Sequence, residues 1–218
     1  MGTFFGREGA EFGRGLGFFD AIYGFAITLL ISNVDLPPAD AWSSLGSLLA
    51  SGVGNQLTGF VVSFVVIAVF WRLNTVMLAR FTGFDSAVIT ANLVTAALVV
   101  LIPFTTQGIS DPVVSEHPLA TALYAVNVAL AIASMAVIHE VGRARGLIDD
   151  EVPRSAWWAT RFDELAKIGV FVVSIPVAYL AGANWGQLTW VLMIPVGLLS
   201  GRWSARVVAR AVARERSG

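Results

Sequence analysis

Apolar residues along this chain fall in long runs, not in the alternation of a half-buried strand or the one-sided spacing of a surface helix. Six runs stand out, at residues 15–36, 52–79, 86–107, 119–139, 165–183 and 185–200. Several reach the roughly 20 residues an α-helix needs to cross a bilayer. Polar punctuation separates them: "DLPPAD", "FTGFD", "SDPVVSEHP", "GRARGLIDDEVPRS" and "GANWG". No run repeats another and no linker divides the chain. The pattern predicts an all-α membrane protein with six transmembrane helices, one domain over residues 1–218, and a short basic tail from about residue 202. Pro176 and Pro195 fall inside the last two runs and predict kinks there. Trp157 and Trp158, after Pro153, predict a short separate helix along the membrane interface ahead of the fifth run.

Composition agrees with a membrane-embedded chain. Of 218 residues 56% are hydrophobic and 13% charged, against about 25% charged in an ordinary soluble domain. The net charge of −1 says little, but its distribution says much. With the N-terminus inside, Arg7, Arg14, Arg72, Arg80, Arg143, Arg145, Arg154, Arg161, Lys167, Arg202, Arg206, Arg210, Arg214 and Arg216 all fall on the inner side. They are all 14 basic residues. The outer connections hold Asp35, Asp40, Asp111 and Glu116 instead. Basic residues collect on the cytoplasmic side, so both termini are expected there. Trp42 and Trp185 fall at the outer boundary, and Trp71, Trp157, Trp158 and Trp203 at the inner one. Glu8 and Glu11 stand where a signal peptide would be basic, so the first run reads as a retained helix. The absence of cysteine excludes disulfides and thiolate metal sites. The preference for arginine over lysine, with abundant alanine and valine, points to a GC-rich bacterial genome and so to a bacterial plasma membrane.

The candidate chemistry is sparse. His117 and His139 lie on opposite sides of the membrane, and no phosphate loop, paired acids or nucleophile–base set is present, which argues against an enzyme. No nucleic-acid partner, cofactor or resident metal is expected. In the first run, Asp20, Thr28 and Ser32 interrupt apolar sequence, and an ionisable residue in a membrane helix is a functional candidate by default. At 100° per residue, Leu29 and Ser32 lie within about 40° of Phe25 and Thr28 about 60° away, while Asp20 points about 140° away. Arg14, Phe18 and Ile22 extend the Phe25 stripe inward, and Asp35 stands near its outer end. Two readings of the hydroxyls stay open: a bond to the carbonyl one turn back, or a water-lined path. For Asp20 a hydrogen-bonded structural carboxylate is favoured, with Arg14, Trp71, Asn74 and Asn92 as candidate partners.

The stretch "RGLGFFDAIYGFAITLLISNVDLP" (residues 14–37) resembles the first-helix signature Arg-x-x-x-Phe-Ser-Asp of the transmembrane protein 175 family of potassium channels. "FWRLN" (70–74), "NL" (92–93) with "LIPF" (101–104), and "YAVN" (124–127) extend the resemblance over the first four runs. It implies a homotetramer whose four first helices line the pore, with large side chains in place of a backbone-carbonyl filter. Phe25 then stands at the constriction, and Thr28, Leu29 and Ser32 at the next layers. Arg14, Phe18, Asp20, Trp71, Asn74 and Asn92 would form a structural network behind the pore. Phe19 replaces the motif serine, Phe25 a constricting isoleucine, and Asn74 a frequent histidine. The expected activity is passive conduction of potassium, with monovalent cations and the lipid bilayer as the only other partners and Asp35 and Asp40 as outer-mouth acids. A proton or weakly selective cation leak and a non-conducting scaffold remain the alternatives.

Overall fold

The structure, a computed structural model, describes residues 4–148, 152–153 and 156–217. Arg154 and the side chain of Arg216 lie outside the described residues. Six helical spans emerge. The first is α1 (Ala10–Ile31). The second joins α2 (Leu45–Leu48) through a π turn (Leu49–Val53) to α3 (Gly54–Leu78). The third is α4 (Ser86–Val100) followed by α5 (Ile102–Ser110). The fourth, α6 (Pro118–Ala144), is the most buried of the six. The fifth is α7 (Trp157–Ala181). The sixth runs from α8 (Ala183–Leu188) through a 3-10 turn into α9 (Met193–Ser217). Around α6, α4 and α5 pack on one side and α7 on the other; α1 and α3 form one flank and α9 the opposite one.

Packing between helices in lipid lacks the hydrophobic drive that works in water, so small residues and hydrogen bonds carry it. Ser63 on α3 lies 3.2 Å from the Tyr124 hydroxyl on α6 and accepts from Thr106 of α5 at 2.7 Å. Thr95 donates to Ser134 at 2.9 Å, joining α4 to α6. Pro103, at the start of α5, breaks the third span. There the Asn127 amide of α6, turned as its surroundings require, donates from its nitrogen to the Leu98 carbonyl at 3.0 Å and accepts at its oxygen from the Ile102 N–H at 3.2 Å. Those are backbone groups the interrupted helix leaves without a partner. Gly52, in the π turn, has φ +92°, a region that favours glycine, and a Cβ there would come within 2.8 Å of Pro112.

At the N-terminal end of α1, a strand, β1 (Phe4–Gly6), pairs antiparallel with β2 (Gly83–Asp85), and Phe81 bridges to Ile148. The ribbon closes over buried Phe12, Phe19, Phe81 and Phe84, with Phe12 and Phe84 stacked at 4.3 Å. This pairing places the N-terminal segment and the second and fourth connections at the same end. Asp85 accepts from the Val88 N–H at 2.9 Å, capping α4, and pairs with Arg145 at 2.7 Å.

The pattern-based expectations need three corrections. Trp157 and Trp158 open no separate interfacial helix; they begin α7 itself, which carries Arg161 and Lys167 in its first turns. Arg72, expected in a connection, lies within α3. Pro195 falls in the first turn of α9, and the 3-10 turn that interrupts the sixth span lies just ahead of it. "FTGFD" is a strand and cap, not a plain turn.

Candidate functional site

The first span divides cleanly around its axis. Phe12, Phe19, Tyr23, Ala26 and Leu30 recur at helical spacing and bury against α3, α4 and α5. On the far side Phe25 is 69% exposed and Leu29 47%, with Arg14, Ala21, Gly24, Thr28 and Ser32 exposed alongside. Phe18 is also exposed, its ring edge-on to Phe19 at 5.6 Å. Thr28 Oγ1 donates to the Phe25 carbonyl at 2.8 Å. That bond uses the hydroxyl proton and leaves the oxygen of this exposed residue as an acceptor, the polarity a cation needs.

The C-terminal end of the helix is stapled down. Asn33 donates to the Pro103 carbonyl at 2.6 Å. Gln56 accepts from the Asp35 N–H at 3.0 Å and donates to its carboxylate at 3.1 Å. Asp35 is thus held in place yet exposed, while Asp40 stands exposed in a 3-10 turn at Ala39–Ser43.

The residues of the signature network fall into two separate pairs. The Asp20 carboxylate accepts from the Trp71 indole N–H at 2.8 Å. Asn74 donates to Asn92 at 2.9 Å, both side chains buried, with the Asn92 amide nitrogen left without a partner. Arg14 joins neither pair. It stands exposed on the Phe25 side of the helix, where the helical wheel puts it and where the resemblance did not. Asp20 is likewise not enclosed: it lies on the flank of α1, bonded but exposed. Among the described residues, no group of three or more histidines and acids is placed to hold a metal.

Sequence reasoning gave no role to the Ser63–Tyr124–Thr106 cluster or to Gln56. A signal was present for the first: Tyr124 and Asn127 are three residues apart on one helix face, opposite the hydroxyls that follow Pro103.

Comparison with known proteins places these features in company. The family model described as endosomal/lysosomal potassium channel TMEM175 matches residues 14–103. A protein of Streptomyces collinus named as a potassium channel is 31% identical over 158 residues, covering 69% of this chain and 74% of the relative. Among solved structures, the fold is similar to a lysosomal potassium-selective channel TMEM175 homolog from Chamaesiphon minutus, with a TM-score of 0.67, 20% identity, and coverage of 88% of this chain and 98% of that one. A variant of the potassium channel MtTMEM175, bound to a nanobody fusion, gives a TM-score of 0.62 at 14% identity, covering 94% and 97%.

Proposed function

The chain belongs to the TMEM175 family of potassium channels, and from that premise we propose that it is a homotetrameric, potassium-permeable channel whose pore is lined by α1. The observation that carries this reading is the open face of that helix. A face turned to lipid would be uniformly apolar, because polar groups there are costly. This one sets Arg14, Thr28 and, at the C-cap, Ser32 beside Phe25 and Leu29, and polar groups in a membrane helix face a bundle interior or water. Four-fold assembly would bring the four open faces together.

Asp35 and Asp40 then concentrate cations at the outer mouth. Oxygens of Ser32 and Thr28 replace part of the hydration shell, and the Phe25 ring forms an apolar constriction that closes by dewetting. With no ring of backbone carbonyls, preference for potassium over sodium is modest. Conduction is passive. The chain acts as one channel unit in a bacterial plasma membrane, with both termini cytoplasmic; the all-inner placement of basic residues supports that orientation.

The test is purified protein in liposomes under a potassium gradient. Potassium flux is expected, and Phe25→Ala should raise it by about tenfold, the equivalent of roughly 1.4 kcal/mol off the barrier. Tetramers that pass no cation, with Phe25→Ala equally silent, would overturn the channel reading. Current that persists when an impermeant cation replaces potassium would assign a proton leak.

A further inference from the structure

A second feature lies away from the pore face, where the inner ends of α3, α6, α7 and α9 meet. They border a half-open pocket of about 360 Å³ lined by Arg80, His139, Arg143, Trp157, Arg161 and, from α9, Ala209. The three arginines are not equivalent. Arg161 is largely buried and committed: it pairs with Glu140, donates to Glu164 at 2.6 Å, lies 3.3 Å from the His139 ring nitrogen, and sits 5.4 Å over the Trp157 ring. Two carboxylates therefore offset its charge and fix its position. Arg80 and Arg143 form no ion pair among the described residues. The Nη1 nitrogen of Arg143 is buried without a hydrogen-bond partner, and so is Nε of Arg161.

Arg80 and Arg143 thus line the pocket with no carboxylate paired to either among the described residues, and a cationic pocket of that kind has the charge to hold an anion. The guanidinium fork matches the oxygens of a phosphate in geometry and charge. The cavity sits where the membrane ends: Arg80 follows the last turn of α3, Arg143 lies in the last turn of α6, and Trp157 opens α7. Tryptophan marks the headgroup level, and basic pockets between spans on the cytoplasmic side recognise acidic headgroups. We propose that this cavity binds a phosphate-bearing anion, the headgroup of an anionic phospholipid of the inner leaflet, through Arg80 and Arg143. Arg161, held by Glu140 and Glu164, is a fixed wall of the pocket. Asp149, Asp150 and Glu151, close in sequence, lie outside the described residues.

Binding is read without flux, so this inference stands or falls apart from conduction. The purified chain in uncharged detergent is titrated with phosphatidylglycerol or phosphatidylcholine doped into the micelles, and the thermal midpoint is followed. Phosphatidylglycerol should stabilise it saturably and phosphatidylcholine should not. Arg80→Gln with Arg143→Gln should weaken the apparent affinity about thirtyfold, the attraction of two basic side chains at a membrane surface. Arg206→Gln with Arg210→Gln, an equal loss of charge on the tail outside the lining, should change it less than about threefold, as for exposed screened charge. Should the first pair fail to fold, Ala209→Glu carries the test: it leaves every arginine in place, sets a carboxylate in the cavity, and should abolish the shift. A parallel titration with inorganic phosphate and glycerol phosphate separates the sources. If they are inert the ligand is the lipid; if they compete at equal strength it is a soluble phosphate at the same site. The proposal is overturned if the shift survives both cavity variants, if the tail variant loses it equally, or if phosphatidylcholine gives the same shift.

Discussion

Phe25 and Asp20 stand five residues apart on one helix, and about 140° of rotation separates what each touches. Phe25 has no cover from its own chain. Its removal should therefore leave the fold alone and act on flux, with Phe25→Ala conducting more and discriminating less between potassium and sodium. Asp20 is tied to Trp71, so its role is read in assembly. Trp71→Phe keeps the ring but removes the donor, and should cost about 1.5 kcal/mol, the low end of the range for a hydrogen bond to a charged group because this one is exposed. Asp20→Asn should act in the same direction, lowering the tetramer fraction in size-exclusion chromatography. If Asp20→Asn leaves tetramers intact but abolishes conduction, the structural assignment of Asp20 is wrong. The open stripe was legible from sequence because it follows from helix geometry alone. The split of the signature residues was not: it depends on which of Arg14, Trp71 and Asn74 comes within reach across a helix interface, and spacing does not encode that.

The element scale shows where a pattern argument runs short. The charged stretch ahead of the fifth run reads as a connection, because charge is costly in a membrane. In the structure the residues just before that run, from Trp157 on, are the start of α7, and their charges answer one another. Arg161 pairs with Glu164 one turn on and with Glu140 on α6, and Lys167 pairs with Asp163 at 2.6 Å, which also accepts from Ser200 on α9. A helix can carry those residues once neighbours pair them, and pairing across helices is a tertiary fact. The break between α4 and α5 is the reverse case, since Pro103 announces it and Asn127 then has an evident task. Asn127→Leu should cost about 1–3 kcal/mol, the penalty for leaving buried backbone groups unpaired, and should lower the thermal midpoint in detergent. The turn between α7 and α8 is limited by contact distance. A Cβ on Gly186 would lie 2.6 Å from the Ala178 Cβ and 2.9 Å from the Ser174 carbonyl oxygen. Gly186→Ala should destabilise by about 1–3 kcal/mol, as overpacking does. An unchanged midpoint would mean that the two helices part freely.

For the whole molecule, six spans and the separation of charge were plain in the sequence, because bilayer thickness and the basic-residue bias act on composition directly. The inner ribbon was not, since three-residue strands are too short to display any period. The chain has no cysteine, which makes assembly and orientation directly testable. Ser32→Cys, on the open face of α1, should form disulfide-linked dimers within tetramers under mild oxidation. Leu180→Cys, 88% exposed on α7, should not. The opposite pattern would place α1 at the periphery. Ser115→Cys should react with an impermeant thiol reagent in intact cells and Ala213→Cys only after permeabilisation; the reverse would invert the topology.

The ribbon also sets an order of events during synthesis. β1 leaves the ribosome first, but its partner β2 follows about 80 residues later, roughly 4 to 16 s at ordinary elongation rates. The Phe81–Ile148 bridge must wait for some 60 residues more, until the fourth span has been made. Through that interval the inner end of α1 is unclamped, and its Phe12 and Phe19 lack the Phe81 and Phe84 rings that later cover them. Nascent chains stalled before β2 should expose β1 to protease and chains stalled beyond residue 148 should protect it, so the first helix made is among the last to be fastened.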